Sequence, residues 1–264
     1  MSRPILIAEL SMNYLGSMSL ASDMISAAAE NGADYVKFQT WQVENLKSGL
    51  WDTDGRREQY EKSELSYDDH IFLIEKCKEN NIKFLTSAFS IKNIDMLSDL
   101  ISEIKIPGIE CGNRDLCYAA IDGFERVFLS TCGSSYEEYS EYANKENVYL
   151  MHGVYNYPCD YMYANMPRML ELKKITDRFG YSGHCLGIDD AICAVTLGAK
   201  VIEKHFTTDK ELPFVDNKFS ILPEELAELR GYMDNYEKMM IDRGRDFQNI
   251  EKKIRSTYRG RWDK

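Results

Sequence analysis

Residues 147–207 read NVYLMHGVYNYPCDYMYANMPRMLELKKITDRFGYSGHCLGIDDAICAVTLGAKVIEKHFT, and they hold two full rounds of one repeating rhythm. NVYLMHG (147–153) is a short β-branched and aromatic run, and MPRMLELKKITDRFG (166–180) is a longer amphipathic stretch. YSGHC (181–185) and LGIDDAICAVTLG (186–198) repeat the pair, and VIEKHFT (201–207) opens another round. The short runs are apolar rather than alternating, as strands buried on both faces require. Parallel strands of that kind are joined by helical crossovers.

The same rhythm extends in both directions. ILIAEL (5–10) precedes a helix from about Ser19 to Asn31 that ends at Gly32, and YVKFQT (35–40) precedes YDDHIFLIEKCKENN (67–81). KFLTSAF (83–89) is followed by a short helix near 91–100, and EIKIPG (103–108) by NRDLCYAAID (113–122). RVFLSTC (126–132) leads to SYEEYSEYANK (135–145). After residue 207 comes PEELAELRGYMDNYEKMM (223–240), with Pro223 suited to a first helical turn. Eight strand–helix rounds in 264 residues predict an α/β protein built as one closed (β/α)8 TIM barrel. The barrel is expected over residues 1–245, with 246–264 as a short C-terminal tail or linker stub.

Two stretches fall outside the rhythm. Residues 41–66 are polar and aromatic, too long for a plain connection, and sit where a lid over the strand ends would be. The tail carries Lys252, Lys253, Arg255, Arg259, Arg261 and Lys264, which suits docking onto a partner as well as it suits a solvated linker. The net charge of −11 argues against nucleic acid or an anionic membrane as partner, through long-range repulsion. Seven cysteines without a CxxC pair read as reduced thiols rather than a disulfide framework. The N-terminus enters a strand pattern at once, with no signal sequence and no bilayer-spanning apolar run. A cytoplasmic location is expected.

Catalysis in such barrels sits where strands hand over to loops at the C-terminal face. Polar residues end every strand: Glu9; Lys37 and Gln39; Thr86 and Ser87; Lys105; Ser130 and Thr131; His152; Ser182 and His184; Glu203, Lys204 and His205. Core packing would not choose such a set, so a functional cavity is predicted. His152, His184 and His205 end three neighbouring strands, and imidazoles are common ligands for zinc, manganese and iron. His184 and His205 are the expected metal pair, His152 is open between ligand and core, and His70 is expected to be structural. A lysine at a barrel mouth neutralises a carboxylate or phosphate, or forms a Schiff base, and Lys37 and Lys105 are placed for either.

At these residues the chain resembles the sialic acid (N-acetylneuraminate) synthase family, including its pseudaminic and legionaminic acid relatives. IAELSMNYLGS (7–17), ADYVKFQT (33–40), ELSYDDH (64–70), LSTCGS (129–134), GAKVIEKHFTTDK (198–210) and VDNKFSILPEEL (215–226) carry the resemblance. It implies condensation of phosphoenolpyruvate with an aldose to give a 2-keto-3-deoxy ulosonic acid for a surface glycan, with release of phosphate. It implies that His184 and His205 hold a divalent ion, usually Mn2+ with Mg2+ or Co2+ as substitutes. Lys37, Ser87, Lys105, Ser130 and Ser182 match positions around phosphoenolpyruvate; Gln39, Glu110, Tyr157 and Asp216 match the sugar side. Glu9 or Glu110 is expected to steer or deprotonate the attacking water. A homodimer is implied, with a separate capping protein as an added option.

The chain departs from the family pattern at Tyr14-Leu15, Gly108, Tyr155, Gly183 and Phe214-Val215. It also stops roughly where the family's C-terminal antifreeze-like domain would begin, which leaves the 41–66 segment or a partner to close the site. A pyruvate aldolase or lyase on the same barrel is the alternative chemistry, and a non-catalytic sugar- or partner-binding barrel is the third reading.

Overall fold

A computed structural model describes residues 3–262. Eight parallel strands close on themselves in sequence order. They are β1 (Ile5–Glu9), β2 (Tyr35–Thr40), β3 (Lys83–Ala88), β4 (Glu103–Ile106), β5 (Arg126–Ser130), β6 (Val148–His152), β7 (Phe179–Gly183) and β8 (Val201–His205). The seam closes over five residues from Ile5↔Val201 to Glu9↔His205. The predicted closed (β/α)8 barrel is therefore the observed fold.

Helices pack on the outside between the strands: α1 (Met18–Glu30), α2 (Arg56–Ser63), α3 (Tyr67–Glu79), α4 (Ile91–Ser98) and α5 (Arg114–Gly123) in the first half. The second half has α6 (Tyr136–Ser140), α7 (Met166–Ile175), α8 (Asp189–Thr196), α9 (Pro223–Met239) and α10 (Lys252–Tyr258). The exceptions are α2, over the strand ends, and α10, in the tail. Local signals explain many of their starts. Ser17, Ser66, Ser90 and Asn113 each accept a backbone N–H of their helix's first turn, and Pro223 occupies the first turn of α9.

Two helix expectations are corrected. The stretch 166–180 stops being helical at Ile175, and Phe179 and Gly180 belong to β7. Gly180 lies against the next strand so closely that a Cβ would stand 2.6 Å from the Val201 carbonyl oxygen, which explains a glycine there. The expected helix over 135–145 is regular only from Tyr136 to Ser140 and then loosens into turns that bring Asn147 to the base of β6. Its amide donates to the Ile121 and Phe124 carbonyls.

The core has two main parts, and Cys159, Ala164 and Cys185 form a small third cluster. Between sheet and helices lies a continuous apolar shell. Inside the barrel, Ile7, Tyr35, Leu85, Phe128, Met151 and Val201 form a smaller plug, with Ile5 and Tyr149 against it. The plug fills the lower half of the barrel, so only the C-terminal half is free to form a cavity. Residues 41–66 fold over this end as two short 3-10 turns and α2, pinned where Trp41 donates to the Tyr60 carbonyl and packs edge-on against Tyr60 and Phe89. Residues 242–262, including α10, are exposed throughout. Among the described residues no helix is long and apolar enough to cross a membrane.

Candidate active site

Side chains on a strand alternate between its two faces, so only every second polar residue at the strand ends can face the barrel interior. The plug residues fix the phase. Ile7 points inward, hence Glu9; Tyr35 does, hence Lys37 and Gln39; Leu85 does, hence Ser87; Phe128 does, hence Ser130; Val201 does, hence Glu203 and His205. These residues, with Lys105, Ser182 and His184, line one cavity of about 450 Å³ at the C-terminal ends of the strands. Tyr157 and Asp216 line it from the loops after β6 and β8.

The opposite phase takes other polar residues out of the site. Thr86 shares a hydrogen bond with Thr40, which also bonds the His70 ring, so His70 is structural as expected. His152 follows the inward Met151 and turns outward, where its Nε2 donates to the Ala164 carbonyl and its ring packs beside Tyr181. It is a core histidine and not a third ligand. Lys204 also turns outward. Glu110 sits on the 3-10 turn after β4, where its carboxylate accepts from Asn113 Nδ2, 3.1 Å away, and it does not line the cavity. Of the two carboxylates considered for the water, the geometry brings in Glu9 alone.

The floor of the cavity is a buried network of two ammonium and two carboxylate groups. Lys37 Nζ lies 2.9 Å from Glu9 Oε2, 3.6 Å from Glu203 Oε1 and 3.0 Å from Ser87 Oγ. Lys105 Nζ donates to Glu203 Oε2 at 2.7 Å, and Ser182 Oγ donates to Glu203 Oε1 at 2.9 Å. Gln39 Nε2 donates to Glu9 Oε1 at 2.7 Å. Glu203 stands among the polar strand-end residues of the sequence, with no specific role assigned to it there. Its spacing of two from His205 was the signal that could have placed it in the cavity.

The two carboxyls are driven apart. Burial pushes Glu9 up to about 7, against the pull of Lys37 and with the help of Glu203. Burial also works against the charge on Glu203, yet Lys105 and Lys37 hold it down to about 2. Glu203 is thus a fixed anion, and Glu9 can exchange a proton near neutrality, the division of labour that acid–base sites use. Burial would lower Lys37, but Glu203 and Glu9 outweigh it and keep the ammonium charged. Lys105 is lowered by burial, with Glu203 resisting.

Beside this floor stand two imidazoles with ring centroids 5.4 Å apart. His184 Nδ1–H donates to the Val154 carbonyl at 2.7 Å, which leaves the lone pair on Nε2. This is the arrangement by which a metal-ligating histidine has its tautomer set. Burial lowers His184 to about 4 and His205 well below its usual value, so both rings are neutral. His205 Nδ1 is buried with no hydrogen-bond partner, and Asp216 Oδ2 is 3.6 Å from it. Burial raises Asp216 to about 6. Neutral imidazoles and an unpartnered buried nitrogen fit a divalent ion. Among the described residues no cluster of three or more His, Cys, Asp or Glu side chains is assembled to hold one, so other ligands would be oxygens of substrate or water.

Several departures from the family pattern have structural explanations. Tyr14 is buried outside the cavity and donates to the Ser63 carbonyl. Tyr155 accepts the Ile109 N–H and fills the wall beside Gly133. A Cβ at Gly108 would lie 2.4 Å from the Cys132 carbonyl oxygen, so the backbone occupies the room a side chain would need. Phe214 and Val215 line the rim. The mouth also includes Asp54, Arg56, Gln59 and Tyr60 from the 41–66 segment. Nothing in the polar composition of that segment distinguished them.

The model of the NeuB family matches residues 24–245. An N,N'-diacetyllegionaminic acid synthase of Campylobacter jejuni is 34% identical over 92% of this chain and 79% of its own length. An N-acetylneuraminate-9-phosphate synthase of Drosophila melanogaster is 31% identical over 88% of this chain and 67% of its own. A crystal structure of N-acetylneuraminic acid synthetase from Leptospira borgpetersenii, in complex with citrate, superposes with a TM-score of 0.88 at 29% identity, covering 98% of this chain and 93% of that one.

Proposed function

Because this chain belongs to the NeuB family, we propose that it is a carbon–carbon bond-forming synthase that joins phosphoenolpyruvate to an aldose and releases phosphate. The product is a sialic-acid-like nonulosonic acid, the class in which the named relatives work. One observation carries the reading: Lys37 and Lys105, Glu9, and the two neutral imidazoles of His184 and His205 all face a single cavity.

In this reading Lys37 and Lys105, with Ser87, Ser130 and Ser182, hold the carboxylate and phosphate of phosphoenolpyruvate. The two lysines are already balanced by Glu9 and Glu203, so they alone cannot neutralise a trianionic substrate. His184 and His205 would hold a divalent ion, which adds the missing positive charge and polarises the aldehyde oxygen as a Lewis acid. Carbon three of the enol then attacks the aldehyde carbon, and carbon two becomes electron-poor. Glu9 takes a proton from the water that adds there and passes it to the alkoxide left by the aldehyde. As the carbon–oxygen bond to phosphate breaks to leave the keto group, the second water proton departs with phosphate. Glu203 stays ionised throughout and keeps both lysines oriented. Gln39, Tyr157 and Asp216 face the sugar.

A lyase working through a Schiff base on Lys37 is disfavoured, because a nucleophilic amine must be unprotonated and Glu203 and Glu9 keep this ammonium charged. The deciding measurement is phosphate release from phosphoenolpyruvate across hexoses, hexosamines and 2-acetamido sugars, with and without Mn2+. Release confined to one sugar class and abolished by a chelator is expected. No release with any aldose would overturn the proposal.

A further inference from the structure

Behind the cavity wall, between β7, β8 and α8, lies a buried ion pair that the chemistry above does not use. Lys204 sits between the inward-facing Glu203 and His205, so its side chain points the other way and is 1% exposed. A buried ammonium needs a counter-charge. It is supplied by Asp190 in the first turn of α8, whose oxygens lie 3.0 and 3.1 Å from Nζ. The Tyr181 hydroxyl donates to the same carboxylate at 3.1 Å, and the Asp190 side chain is fully buried. The carboxylate also benefits from the positive end of the helix.

The third bond of the ammonium gives the pair a consequence at the site. Lys204 Nζ donates to the Cys185 carbonyl at 2.7 Å, on the residue immediately after His184. The His184 carbonyl accepts the Cys159 N–H at 2.9 Å, and its ring is tied to Val154. The short segment that presents His184 is therefore held at three points, and one of them is the lysine that Asp190 fixes. Gly183 completes the arrangement. A Cβ there would stand 2.5 Å from Asp190 Oδ2 and 2.6 Å from Tyr181 Cε1, so the absent side chain is what makes room for this carboxylate.

We propose that Asp190 is a positioning residue for His184. Acting through Lys204 and the Cys185 carbonyl, it directs the His184 Nε2 lone pair into the cavity. The inference deepens the proposed metal site and rests on it for its first test.

Mn2+ affinity is measured by calorimetry on the purified protein, alongside its melting temperature. Asp190→Asn alone leaves Lys204 without a full counter-charge and can fail to fold. The informative variant is therefore Asp190→Asn with Lys204→Met, which removes both charges. It is expected to melt close to wild type yet bind Mn2+ at least tenfold more weakly. Wild-type Mn2+ affinity in this first variant would overturn the inference.

A metal-free readout separates this idea from the metal reading. The ring 15N shifts of His184 report whether Nδ1 stays bonded to Val154, and the first variant is expected to shift them toward a mixed tautomer. A wild type that binds no Mn2+ while that shift occurs would remove the metal reading and leave the positioning role standing. Unchanged ring shifts in the variant would sink the positioning role itself.

Discussion

Glu9 and Glu203 are the same residue type, both buried, on neighbouring strands, and joined through Lys37. Their surroundings send them in opposite directions, and each direction has a pH signature. A carboxyl whose folded pKa is raised binds its proton more tightly in the native state. Between the unfolded value near 4.5 and about 7, Glu9 therefore subtracts stability as pH rises. Glu203 does the reverse, with a contribution present above 4.5 and lost as pH falls toward about 2. Urea midpoints measured from pH 4.5 to 7.5 are expected to slope downward less in Glu9→Gln than in wild type. Parallel slopes would show that Glu9 does not take up its proton on folding. The same substitution is expected to lower kcat/KM by roughly 10²- to 10⁴-fold and to erase an ascending limb near pH 7, as loss of a general base does. His205 teaches a similar lesson: its neutrality comes from burial, which no reading of its neighbours in the chain reveals.

At the scale of elements, the 41–66 segment and α3 carry the testable consequences. Arg56 opens α2, lines the mouth, and is about half exposed where it pairs with Asp54. Substitutions at exposed positions cost little stability. Arg56→Ala is therefore expected to raise KM for the aldose several-fold while leaving the melting temperature within about a degree, and an unchanged KM would assign the segment a purely covering role. Helix α3 begins with a reciprocal cap: Ser66 Oγ accepts the Asp69 N–H, and Asp69 accepts the Ser66 N–H. Ser66→Ala is expected to cost about 1 kcal/mol in urea unfolding. These caps were readable directly, because ELSYDDH places serine and aspartate three apart before an apolar run. Arg56 and its neighbours were not readable as site residues. Whether a loop folds inward or outward depends on contacts such as Trp41 on Phe89, which are remote in sequence.

For the molecule as a whole, the barrel is complete at α9, and the exposed tail adds nothing to its core. Deleting residues 246–264 is expected to leave the melting temperature within about 1 °C; a large drop would show that the tail docks on the barrel. The eight-round rhythm, the strand identities and the set of polar strand-end residues were all determined by the sequence alone. They follow from local rules, namely burial of parallel strands and the period of helices, which act over a few residues at a time. The tertiary structure alone decided which of those polar residues meet. Barrel closure brings β1 against β8 and sets the phase that turns Glu203 inward and His152 and Lys204 outward. It also leaves Glu110 outside. A one-residue change of phase reverses every side chain on a strand, and that phase is fixed by packing against partners far along the chain.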